Sequence, residues 1–96
     1  MQFSWDDDNE GHLAERHPDI LPEEVDSIFE RRVVMMDNTR GRSGTLFLGI
    51  DSKGRLLVVP ADETADGVWR PRTAHQASSE WQRSAYAEDE DGDHDG

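Results

Sequence analysis

The stretch TLFLGI-DSKG-RLLVV (45–59) constrains the fold more than any other part of the chain. Two apolar runs, each too short for a buried helix, flank four turn-forming residues, the pattern of two strands joined as a hairpin. The neighbouring segments keep the same period. VVMM (33–36) reads as a strand and DNTRGRSG (37–44) as the turn that follows it. VWRPR (68–72) reads as a last strand, with Pro71 suited to an edge or a strand end. Pro60 and ADETADG (61–67) read as a loop.

Before residue 33 the period lengthens. QFSW (2–5) suits a short first strand, and Asp6, Asp7 and Asp8 then place acids where a helix N-terminus favours them. DNEGHLAERH (8–17) is predicted to be a short helix ending before Pro18, weakened by about 1 kcal/mol at Gly11. PEEVDSIFER (22–31) has proline at the first helical position and acids in the first turn. It carries Val25, Ile28 and Phe29 on one face. After the last strand, Thr73 and Gln76 have capping-box spacing, which predicts a third helix running to about Tyr86 with Ala77, Trp81 and Ala85 inward. The predicted class is α+β: an antiparallel β-sheet of four to five strands with helices packed on one face, in the order β-α-α-β-β-β-β-α.

Charge limits the function. The chain has 96 residues, enough for one domain, and a net charge of −12. Residues 88–96, EDEDGDHDG, hold six acids and no apolar side chain, which predicts a disordered acidic tail after a single domain over 1–87. Without that tail, 16 acids still face 10 Lys and Arg. An acidic body speaks against a simple nucleic-acid-binding module but leaves room for a local basic site. The absence of cysteine excludes disulfides and thiolate metal sites. DGDHDG (91–96) opens like an EF-hand loop but lacks the later ligands, so it reads as a solvated tail rather than a metal site. With no signal-peptide pattern at MQFSWDDDNE and no apolar run long enough for a bilayer, a cytoplasmic protein without a membrane partner is expected.

With this order in hand, the residues resemble the BrnT family, the toxin half of bacterial type II toxin–antitoxin pairs. The resemblance rests on FSWD (3–6), Arg16-His17 at the expected distance from Trp5, EEVDSIF (23–29), GRLLVV (54–59) and RPRTAHQASSE (70–80). It covers roughly residues 2–86 through joint order and spacing, with no single specific motif. The chain departs from the family pattern at several places. Asn9 stands where the family has lysine, Leu13 where it has asparagine, Pro18 where it has glycine, and His75 where it has a closing arginine. The last helix, commonly basic in the family, keeps only Arg83. The resemblance implies a RelE-like fold, RNA cleavage without a metal or other cofactor, and a cognate BrnA-like antitoxin as partner.

Metal-free RNA cleavage needs a base for the 2′-hydroxyl, an acid for the leaving oxygen, and cations for the charge developing on phosphate. His17 and His75 are the candidates for proton transfer, since an unperturbed imidazole titrates near ~6.5. Arg70 and Arg72, two apart on a strand and hence on one face, are candidate phosphate clamps, with Glu80 to orient His75 or an arginine. Arg16, Arg40 and Arg42 are candidate RNA-binding cations. Each has a plain structural alternative. His17 suits a helix C-terminus, His75 an exposed first turn, and Arg70 and Arg72 salt bridges with the surplus acids. Arg40 and Arg42 suit a solvated turn, and Trp5, Trp69 and Trp81 the core. The acidic tail, on its tether, is expected to compete with RNA for the Arg70/Arg72 region. Two functions therefore stand side by side: a BrnT-like ribonuclease toxin, or an inactive acidic protein on the same scaffold that engages a basic protein partner.

Overall fold

The computed structural model describes residues 1–38 and 44–95, the side chains of 88–95 apart. Its elements run β1 (Gln2–Phe3), α1 (Asp7–Arg16), α2 (Pro22–Asp26), a 3-10 turn (Ser27–Glu30), β2 (Val33–Asp37), β3 (Thr45–Ile50), β4 (Leu56–Ala65), β5 (Val68–Pro71), β6 (His75–Gln76) and α3 (Glu80–Asp95). The class is α+β, as expected. The sheet, however, is mixed, because β1 lies parallel to β5, pairing Gln2 with Val68 and Phe3 with Trp69. The other pairings are antiparallel, in the order β1-β5-β4-β3-β2, with β6 also on β4.

The helices do not share one face. Alternation along β3 and β4 sends Phe47, Leu57, Val59 and Ala61 to one side, where Leu13, Ile20, Val25 and Ile28 of the first helical segments cover them. It sends Leu46, Leu48 and Val58 to the other, where Trp81, Ala85 and Tyr86 of α3 pack. The sheet is therefore covered on both sides, because the hairpin is apolar on both. Phe47 is the largest fully buried side chain, contributing about 2–3 kcal/mol of burial. It meets Phe3, Phe29 and Trp69 edge-on at 5.1, 5.9 and 5.1 Å. Gly49 admits the 3-10 turn, since a Cβ there would stand 2.8 Å from the Ile28 Cβ. Trp5 and Trp69 pack on the first cluster and Trp81 on the second, in keeping with the core role expected of them.

The helix expected over 22–31 is α-helical only to Asp26 before the 3-10 turn takes over. Two further expectations, at the end of β4, fail for one reason. Pro60 does not open a loop: β4 runs through it to Ala65 and turns at Asp66-Gly67, with Gly67 at φ 76°, into β5. In an antiparallel ladder the N–H and C=O of a residue face the same neighbour. The Pro60 carbonyl accepts from the Arg72 N–H at 2.9 Å, so the missing N–H of proline also faces the segment after β5. There the ladder is broken anyway. From Ala61↔Pro71 to Val58↔His75, β4 recedes three residues while its partner advances four, so one residue bulges out. The same bulge corrects the start of the third helix. Thr73 is no helix cap. Ala74 is buried in the first cluster, His75 and Gln76 continue along β4 as β6, and α3 begins only at Glu80.

The β3–β4 turn is tied down by charge. Asp51, with a fully buried side chain, accepts from the backbone N–H of Lys53 and Arg55 at 3.0 and 2.8 Å. Arg55 binds Asp51 at 2.8 and 2.9 Å, Glu24 at 3.1 Å and the Asp19 carbonyl at 3.0 Å. Lys53 closes the set on Glu24 at 2.9 Å. The hydrogen bond from Lys53, then one from the Leu21 backbone, hold the Glu24 carboxyl down at about 2. Burial alone would lower the Arg55 pKa, but its bond to Asp51 and the charges of Asp51 and Glu24 raise it. On α3's side, Tyr86 donates to the Arg32 carbonyl at 3.1 Å while the Arg32 guanidinium lies 3.9 Å above its ring. Among the described residues, no helix is long and apolar enough to cross a membrane.

Candidate functional site

Helix α1 positions two groups of polar side chains, one at each end. At its start Asp6 is the N-cap, accepting from the Asn9 N–H at 2.9 Å, while Asn9 Oδ1 accepts from the Asp6 N–H at 2.7 Å. The buried Asn9 amide also donates to the carbonyls of Ser4 (3.1 Å) and Pro71 (3.0 Å), which fastens the helix to the ends of β1 and β5. That fastening brings Arg70 of β5 under the helix terminus. Arg70 Nε and Nη2 meet Asp6 Oδ2 and Oδ1 at 3.1 and 3.2 Å, and Nη2 also meets Asp8 Oδ2 at 3.3 Å. Arg72 Nε meets Asp62 Oδ2 at 3.0 Å. Asp8, Asn9, His12, Arg70 and Arg72 together line an open cleft of about 340 Å³. The Arg70 hydrogen bond, then that of the Asn9 backbone, hold the Asp6 carboxyl below its ordinary range, and Asp6 in turn raises Arg70.

At the other end His17 is the C-cap. Its N–H donates to the Leu13 carbonyl at 2.7 Å, and its own carbonyl accepts from the Ile20 N–H at 3.0 Å. His75 is held from the sheet side by its pairing with Val58. The two half-buried imidazoles lie with centroids 6.0 Å apart and planes inclined at 36°. They form a tilted ring pair, and both are within reach of one small ligand. His75 Nδ1 is 3.2 Å from the Gln76 carbonyl. A carbonyl only accepts, so the tautomer that makes this contact a hydrogen bond carries its proton on Nδ1 and leaves the lone pair on Nε2.

The residues expected to act together thus separate into two clusters. His17 and His75 meet. Arg70 and Arg72 line one cleft, but each carries a carboxylate partner, which is the salt-bridge alternative. Arg16, next to His17 in the last turn of α1, is exposed. Glu80 is exposed at the first residue of α3 and, among the described residues, bonds neither His75 nor an arginine. Arg40 and Arg42 lie outside the described residues. His12 is the lining residue that sequence reasoning missed. Its spacing of four from Asp8 puts both on one face of α1, and that spacing could have found it. Among the described residues, no three acidic or histidine side chains converge as metal ligands.

A scan against protein-family models and searches of curated proteins and of solved structures return no match to this chain.

Proposed function

We propose that the chain is a divergent BrnT-like toxin with a RelE-like fold, an endoribonuclease that cleaves RNA without a metal and is silenced by a BrnA-like antitoxin. The observation that carries this reading is the approach of His17 to His75, centroids 6.0 Å apart. With hydrogen bonds of about 2.6–3.2 Å on either side, two imidazoles at this distance can both touch one phosphodiester. The roles follow from the tautomer. With Nδ1 donating to Gln76, His75 offers Nε2 as the base that takes the proton of the 2′-hydroxyl. The oxygen attacks phosphorus, the bond to the 5′-oxygen breaks, and His17 in its protonated form gives that oxygen a proton. The products are a 2′,3′-cyclic phosphate and a free 5′-hydroxyl. Arg16, adjacent to His17, supplies a cation for the charge that builds on phosphate.

One observation favours the second reading, an inactive acidic protein that engages a basic partner. Arg70 and Arg72, the cations that would clamp phosphate, are already bound to Asp6, Asp8 and Asp62. Induced expression separates the two. Under the toxin reading, wild type arrests growth and degrades total RNA, while His17→Ala and His75→Ala do neither. Unimpaired growth with intact RNA, in cells holding soluble folded protein, supports the binding reading.

A further inference from the structure

The cleft beside α1 contains its own counter-ion, and the two acids at its mouth are not alike. Asp6 is a fixed part of the fold. Its carboxylate caps the helix through the Asn9 N–H and grips Arg70 in a two-bond fork. Asp8 has neither constraint. Its side chain is 93% exposed, and it touches Arg70 through one contact of 3.3 Å. His12, one turn further along the same face, and Arg72 complete the walls. Among the described residues, Arg72 uses only Nε on Asp62, and Arg70 uses Nε and Nη2, so the remaining guanidinium nitrogens carry no protein acceptor. Two guanidinium groups and an imidazole around a cleft of about 340 Å³ fit a tetrahedral oxyanion.

We propose that the cleft lined by His12, Arg70 and Arg72 is a phosphate-binding subsite in which Asp8 occupies the ligand's place on Arg70, and that an incoming RNA phosphate displaces Asp8 while Asp6 stays. The subsite binds a phosphate of the strand other than the one being cleaved, and only its assignment to RNA rests on the function proposed above. Asp8 is thus an internal competitor that sets the affinity. An exposed ion pair is weak, so its removal tightens binding by only about two- to fivefold.

The test is a titration of the full chain followed by the NMR signal of the Arg70 side-chain N–H. Inorganic phosphate is one probe. The other is a short 2′-O-methyl RNA, which has no free 2′-hydroxyl and is not cut by the proposed route. Asp8→Asn should tighten binding of both probes about two- to fivefold. Arg72→Gln should weaken both, whether or not cleavage is ever detected. An Arg70 signal that moves with neither probe, or an Asp8→Asn variant that binds no better than wild type, overturns the subsite. A response to inorganic phosphate without one to the oligonucleotide overturns its assignment to RNA.

Discussion

Among the described residues, two networks of arginine and carboxylate differ in how far solvent reaches them. At the β3–β4 turn, Asp51 has no exposed side-chain surface and Arg55 little, and the lone pairs of Asp51 are taken by two backbone N–H groups as well as by Arg55. At the start of α1, Arg70, Asp6 and Asp8 stand 35%, 52% and 93% exposed, and Arg72 and Asp62 41% and 45%. The first network is closed and holds the hairpin to α2. The second is open, and its ion pairs are the kind that solvent and ligands exchange. The same residue types form a structural clamp where burial removes competitors and solvent-exposed pairs where it does not.

The largest effect expected from this contrast is on stability at the turn. Arg55→Ala leaves the buried Asp51 charge without its cation and should cost about 3 kcal/mol, at the low end for a broken buried pair because the two backbone donors remain. A domain of this size would then melt about 12–24 °C lower. A loss below a third of that would mean the turn network is not a clamp.

Acid should weaken the closed network next. Glu24 sits at about 2 in the fold against 4.5 ordinarily, so it binds a proton more readily in the unfolded chain. Its stabilising share is complete above pH 4.5 and is lost as pH falls through about 2. Thermal melts across that window should flatten in Glu24→Gln, and equal slopes in the two proteins would refute the assignment. Asp6, also lowered, adds a loss of the same sign.

The smallest stability effects belong to the open network. Arg70→Ala and Arg72→Ala should each lower Tm by no more than about 5 °C while weakening phosphate binding clearly. A larger drop would place these arginines with the structural clamp and erase the comparison.

Much of the fold can be read from local pattern, and the failures occur where the sheet overrides it. TLFLGI matches β3 because Leu46 and Leu48 alternate with Phe47 and Gly49 between two covered faces. Asp6 to Asp8 mark the start of α1 because its terminal N–H groups need acceptors, and Pro22 marks that of α2 because it has no N–H to leave unpaired. Thr73 with Gln76 has the spacing of a cap, but Val58 and Leu57 recruit His75 and Gln76 into the sheet, and no local signal reports a partner seventeen residues away. Gln82 Oε1 instead takes the Ser78 N–H at 3.3 Å where α3 begins. For the site, the residue types were legible and the pairing was not. That His17 meets His75 depends on α1 being fastened to β5 through Asn9, a residue read only as a missing lysine.

The proposed activity depends on the histidine pair, and cleavage of a short RNA by the purified full chain in EDTA tests it most directly. The prediction is that wild type yields fragments ending in 2′,3′-cyclic phosphate, that His17→Ala and His75→Ala each lose at least about a hundredfold in rate, and that the two losses do not add. Folded wild-type protein that leaves the RNA intact, or cleavage that survives both substitutions, would contradict it.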